Sequence, residues 1–360
     1  MKLEDKLSWK GKAARIGAAI LMPLMGFLEK EAKGQTYLTD FNKDGVVDTK
    51  DMTDFADAWL AESEGREVIP VYDCGCLDQA GKTYKLVTDL GAEWGLNSCL
   101  SIDANNVCID LNRHKVIDST SNTPYGIYCI GHSGLTIKNG QLKNFQQAGI
   151  YLENCNDALI SDVNSVVTAR YSSGISILRS NNGRMKDVNG HSFWPGRCGL
   201  LFSQVDGWEI INSEGIGDTG IHVGTRANSL YRTNGSTIKN SSFYGRVTDV
   251  SSTNLDNLFV DCEFESEVGL LNRASSLKIA VPGQNRAKVS VSNNQGLLEF
   301  LGHTNQKGEV PEIIVPWYSS INGQRENFGP YTIEVKGRYG KEAKKICDVN
   351  TPNYISISLD

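Results

Sequence analysis

Proline and positive charge are both scarce in this chain. Its 360 residues hold nine prolines, and 36 lysines and arginines fall short of 42 aspartates and glutamates. The net charge of -6 argues against a nucleic-acid partner, for which a basic face is expected, yet leaves room for a local basic groove that takes an acidic polysaccharide. Long apolar runs are also lacking. The stretch from Ile16 to Leu28 is too short for a comfortable transmembrane helix, and no other segment is apolar enough to cross a membrane. Amphipathic 3.6-residue periodicity is missing from the central region, which disfavours an α-solenoid. The nine cysteines are odd in number, so at least one is unpaired.

What is present is repetition. Gly126-Ile127-Tyr128-Cys129, Gly149-Ile150-Tyr151-Leu152, Gly174-Ile175-Ser176-Ile177, Gly199-Leu200-Leu201-Phe202 and Gly220-Ile221-His222-Val223 recur at intervals of 23, 25, 25 and 21 residues. A period in this range marks a solenoid. Within each unit the first and third residues after the glycine are apolar and the second varies, which is the period of a β-strand. A second short strand follows at Leu135/Ile137, Ala158/Ile160, Gly183/Met185 and Trp208/Ile210. Beyond it runs a column of Asn139, Asp162, Asp187, Asn212, Asn240 and Asp261. Asn and Asp tolerate left-handed backbone, so this column predicts a recurring turn. Stacking coils at the strand spacing of about 4.8 Å places equivalent residues above one another.

The segment from about Val107 to Phe264 resembles the right-handed parallel β-helix repeats of the pectin-lyase-like superfamily. That resemblance implies an all-β solenoid with a polysaccharide groove along the outer face of one sheet. Four parts are expected: a signal peptide or N-terminal helix over 1–34, a small module over 35–65, the β-helix over 66–305, and a β cap or appendage over 306–360. Val268-Gly269-Leu270-Leu271 and Leu277-Lys278-Ile279-Ala280 read as further coil strands.

The N-terminal run follows Lys2, Lys6, Lys10, Lys12 and Arg15, and small residues before a cut after Gly34 complete an export signal. A secreted or cell-surface protein is the expectation. Between signal and solenoid, Asp40, Asn42, Asp44, Asp48 and Asp51 fall at positions 1, 3, 5, 9 and 12 of a loop with Gly45 at position 6. Val46 supplies a carbonyl. This spacing fits Ca²⁺. With Asp at position 12 and Met52, Phe55, Ala56, Trp59 and Leu60 on one helical face, the module resembles a dockerin type I or EF-hand repeat, which implies a cohesin-like or cell-surface partner. Dockerins carry two such loops; one is visible here.

Among the cysteines, Cys129, Cys198 and Cys262 lie at apolar columns and read as core thiols. Cys74 and Cys76, with Cys99, are the disulfide candidates. A zinc site of Cys74, Cys76, Cys99 and Cys108 matches no standard ligand spacing.

Chemistry is expected where Arg197 and Asp218, each two residues ahead of a repeat glycine, come one coil apart. His222 follows on the neighbouring outer face. These three are the catalytic candidates, as base, acid and cation for work on a sugar or for abstracting the proton α to a uronate carboxylate. Tyr128 and Tyr151 in the outward column, with Arg226 and Arg246, are the substrate-binding candidates; His191 and Tyr244 belong to nearby loops. The paired aspartates and Gly-His-Gly of polygalacturonase-like hydrolases, the Asp-Pro-His-Asp of alginate epimerases and the pectate-lyase motifs are absent. Lyase or epimerase chemistry is preferred to hydrolysis, because basic and imidazole groups outnumber paired acids. The competing readings are a non-catalytic surface or adhesion scaffold and a NosD-like maturation factor.

Overall fold

The computed structural model describes residues 67–120, 122–169, 172–224, 235–321, 324–337, 340–349 and 353–359. The expected signal, the expected calcium loop (Asp40, Asn42, Asp44, Val46, Asp48 and Asp51) and Arg226 lie outside them. Glu67–Asp360 is one compact unit and is described by itself.

Three parallel ladders wind through it. Sheet A is built from the glycine-led strands Tyr125–Ile130, Ala148–Glu153, Ser173–Leu178 and Cys198–Ser203, preceded by Ser98–Ile102, in which Cys99 stands at the glycine's position. Its register runs Leu100, Ile127, Ile150, Ile175, Leu200, Ile221, Val250, so the repeat intervals read from the sequence are the coil lengths. Every member of that column is buried. Sheet B carries the second strand, with Ile109, Ile137, Ile160, Met185, Ile210, Ile238 and Phe259 stacked inward. Each such side chain contributes about 1.5–3 kcal/mol of burial, and the columns merge into one continuous core.

Sheet C follows the Asn/Asp column. Asn139, Asp162, Asp187, Asn212, Asn240 and Asp261 all have φ between 48° and 62°, the left-handed turn that short polar side chains adopt most readily. Immediately after it the chain is extended again, and Val116, Leu142, Ser165, Gly190, Gly215 and Phe243 point inward in register. Small residues in this row let sheet C press on sheet A, and that is why sheet A needs glycine. A Cβ on Gly199 would lie 2.4 Å from the Ile216 nitrogen and 2.5 Å from the Gly190 oxygen.

Cys74 and Cys99 form a disulfide across the first two rungs, and Cys76 is free and exposed. Cys129 and Cys262 are buried in the core, as their columns require, and Cys198 is partly buried. The Cys129 and Cys155 sulfurs touch at 3.3 Å.

The expected strand at 268–271 does stack, pairing parallel with 251–253. Leu277–Ala280 does not continue the solenoid. It runs parallel to Asn353–Ser356, while the stretch before it, residues 270–277, pairs antiparallel with Ile313–Ile321. From here a second core forms, with Leu277, Val289, Val315, Tyr331 and Ile333 inside, between this layer and a four-stranded antiparallel sheet of Lys288–Ser292, Leu298–His303, Tyr331–Lys336 and Glu342–Cys347. The antiparallel strand closes the open edge of the last rung, which would otherwise template further pairing. Glu267 fixes it there, accepting from the Tyr318 hydroxyl and from Arg325 Nε at 2.9 Å. Among the described residues no helix is long and apolar enough to cross a membrane.

Candidate site on the outer face of sheet C

Alternation puts every second residue of sheet C toward solvent. In the last coils these are Asn189 and His191, then Glu214 and Ile216, then Ser242 and Tyr244, in register. Glu263 forms the next bridge after Ser242. His191 Nε2 meets Glu214 Oε1 at 2.7 Å, and the Ser242 hydroxyl donates to Glu263 at 3.3 Å. The Ser242 hydroxyl favours the Tyr244 phenolate. Partial burial and the carboxylates of Glu263 and Glu214 outweigh it and raise the phenol above its ordinary value.

Asp218 sits at the corner where sheet C turns into sheet A. Its backbone amide donates to the Arg197 carbonyl at 2.9 Å, so the expected neighbours are neighbours. Its carboxylate accepts from the Gly196 amide and pairs with Arg246 at 2.6 Å. Asp218 thus ties the preceding coil to the following one.

Asp249 takes the place of the glycine in the next coil, since Thr219 and Ile221 pair with Thr248 and Val250. Its carboxylate accepts from the amides of Gly245, Glu265 and Ser266 at 2.7, 2.7 and 2.9 Å. Burial pushes its carboxyl up, but the three amides win and hold it below the usual carboxylate range. Between these groups opens a cleft of about 420 Å³, lined among others by Ile216, Tyr244, Arg246, Glu263 and Glu265.

His222 lies elsewhere. It is in the outward row of sheet A, where Nδ1 meets Ser251 Oγ at 3.0 Å and burial lowers its imidazole pKa. Tyr128 and Tyr151 are in the same row several coils away. Their rings stack at 5.5 Å, and Tyr125 packs 4.8 Å from each. The Tyr151 hydroxyl donates to Glu153 at 2.7 Å, and Glu153 pairs with Arg179 at 3.1 Å. The structure therefore gathers Arg197, Asp218 and Arg246 at one corner and leaves His222, Tyr128 and Tyr151 on another sheet. Among the described residues no cluster of metal ligands is found.

A family model for a right handed beta helix region matches residues 125–295. That stretch is a right-handed β-helix repeat region. No curated protein matches it.

Sequence reasoning missed the pairing of His191 with Glu214, and the place of Tyr244 and Glu263 beside them, because it treated the first and third as loop residues. The signal was there. In this β-helix, His191, Ile216 and Tyr244 each stand four residues beyond a member of the Asn/Asp column, in alternating triplets such as Asn189-Gly190-His191, and a third strand per coil follows from that spacing.

Proposed function

We propose that this β-helix protein binds a polysaccharide across the outer face of sheet C, centred on the cleft beside Tyr244. The observation that carries this is the composition of one solvent-open cleft: an aromatic ring, a guanidinium and several carboxylates, which are the groups that stack on sugar rings and bond their hydroxyls. The repeating coils offer a long, flat approach to it. Export and calcium binding through Asp40, Asn42, Asp44, Val46, Asp48 and Asp51 belong to the same proposal. The Cys74–Cys99 bridge supports an oxidising destination. A cohesin-like or cell-surface partner for the N-terminal module stays part of it.

A second reading, cleavage, rests on Glu214 and Glu263. One rung separates them, with Ser242 between, so their backbones stand about 9.6 Å apart. Glu214 leans toward His191 of the preceding coil and Glu263 toward Ser242, a spacing near the upper end of the roughly 6.5–9.5 Å at which inverting glycosidases hold an acid, a base and a water. Carboxylates dominate this cleft. That balance favours hydrolysis over the lyase or epimerase chemistry expected from the basic and imidazole groups of the sequence, and the lone non-catalytic scaffold is what remains if neither acid matters.

Retention in native gels containing a panel of soluble polysaccharides tests the binding. Tyr244→Ala is expected to weaken retention. Glu214→Gln and Glu263→Gln are expected to keep it while abolishing any release of reducing ends. A parent protein that none of the glycans slows would overturn the proposal.

A further inference from the structure

We infer that the ligand is a neutral polysaccharide, and that Phe193 and Trp194 form a stacking platform for its sugar rings beside the cleft. The inference rests on the sugar-binding reading above and narrows it to one substrate class. Two independent observations carry it.

The first is the loop 193–197, which leads from sheet C to sheet A one coil before the Asp218 corner. Phe193 and Trp194 are 56% and 38% exposed, on a coil whose other large apolar groups, such as Val188, Leu200 and Phe202, are buried. Both ends of the loop are fastened. The Phe193 amide donates to the Val167 carbonyl at 3.2 Å. At the far end the Gly196 amide donates to the Asp218 carboxylate, and the amides of Asp218 and Thr219 donate to the Arg197 carbonyl at 2.9 and 3.2 Å. The aromatic pair is therefore held in place rather than left to collapse. It adjoins the site: the His191 ring meets Phe193 edge-on at 6.5 Å and bonds Glu214, while Asp218 bonds the cleft residue Arg246. Rigid aromatic rings bind a flat apolar surface at little entropic cost. A hexopyranose with equatorial substituents presents such a surface in its axial C–H bonds.

The second observation is charge. Arg246 is neutralised by Asp218, which leaves Glu263 and Glu265 in the cleft lining and Glu214 next to it. A polyuronate would bring one further negative charge per sugar into this field. Like-charge juxtaposition of that kind rejects a ligand, whereas neutral hydroxyls can donate to each of these carboxylates.

The test uses the whole protein and two sets of probes in native gels and calorimetry at low salt: hydroxyethyl cellulose, xyloglucan and galactomannan on one side, polygalacturonate and alginate on the other. At least one neutral glycan is expected to bind while both polyuronates fail. Trp194→Ala is expected to weaken that binding about tenfold or more, with Phe193→Ala acting in the same direction and the melting temperature of both variants unchanged. Binding of a polyuronate in preference to every neutral glycan overturns the inference and leaves the sugar-binding reading standing. So does neutral-glycan binding that Trp194→Ala and Phe193→Ala leave intact. Failure of all five probes overturns both.

Discussion

Replacing Gly199 by alanine puts the packing of sheet A on sheet C to a direct test. The added Cβ would stand 2.4 Å from the Ile216 nitrogen, 2.5 Å from the Gly190 oxygen and 2.8 Å from the Ile216 oxygen. All three are backbone atoms in two different rungs of sheet C, so no side-chain rotation relieves the clash. The strands themselves must part. Overpacking of a core costs about 1–3 kcal/mol, and displacing two hydrogen-bonded strands belongs at the upper end of that range. At roughly 2–4 °C per kcal/mol for a domain approaching this size, Gly199→Ala should melt some 6–12 °C below the parent when followed by circular dichroism. Gly91→Ala is the matched control. It too lies in a strand, but its new Cβ meets nothing within 4 Å, so the variant should be neutral or gain up to about 1 kcal/mol through the unfolded chain. If Gly199→Ala melts with the parent, the glycine column is not set by close approach of the sheets and the explanation given for it fails.

Three further outcomes are expected. The depressed carboxyl of Asp249 contributes stability that is complete above its unfolded value near 4 and is lost as pH falls through the lower folded value; the deficit of Asp249→Asn against the parent should therefore shrink below pH 4, and a deficit independent of pH would refute the amide cage. The burial-depressed imidazole of His222 should titrate below about 6.5 by NMR, contributing stability that is present above that pH and is lost as pH falls toward the folded value; a midpoint at or above it would place His222 in open solvent. Denatured but unreduced protein should show seven thiols to a chromogenic disulfide reagent over the described cysteines plus none from Cys74 and Cys99, and a count of five would mean that a second bridge has formed, with Cys129 and Cys155 the pair in contact.

The solenoid was legible because it is written in periods. A strand buried on one side alternates, and a turn that needs left-handed backbone selects Asn or Asp. Ile127, Ile150 and Ile175 therefore announced sheet A, and Asn139, Asp162 and Asp187 announced the turn. Sheet C escaped notice because its inner row is apolar only at its two ends, at Val116, Leu142 and Phe243. Ser165, Gly190 and Gly215 are small so that sheet A can approach, and a row of small residues carries no hydrophobic signal. The candidate site rides on that hidden sheet, which is why His191 and Tyr244 looked like loop residues. Arg197 and Asp218 were placed together correctly, since coil register alone decides it, but register does not say where a side chain bonds. Asp218 pairs with Arg246, whose position depends on an extra residue between Gly245 and Thr248 that shifts the register. Leu277–Ala280 misled for a related reason: an alternating strand looks the same whether its parallel neighbour is the next coil or a strand far along the chain such as Asn353–Ser356.

In a stack of coils each rung contacts chiefly the rungs on either side, so a departure from the repeat can be tolerated only where neighbouring coils compensate for it locally. The Asp218 corner meets that condition. Its own coil passes from sheet C to sheet A without a loop, along the continuous strand Glu214–Gly224, and this leaves room for the 193–197 loop on one side and the Arg246 bulge on the other. One carboxylate then holds both, through the Gly196 amide and the Arg246 guanidinium. In the following coil the glycine is gone, and Asp249 satisfies three amides of the loosened turn instead. Both aspartates are spent on holding irregular backbone in place. The groups that remain to meet a ligand are the aromatic pair that the loop carries outward and, on the regular outer row of sheet C, Tyr244 and the Glu263 carboxylate. A substitution at Asp218 should accordingly act on binding through the position of Phe193 and Trp194 rather than through lost contact with the sugar.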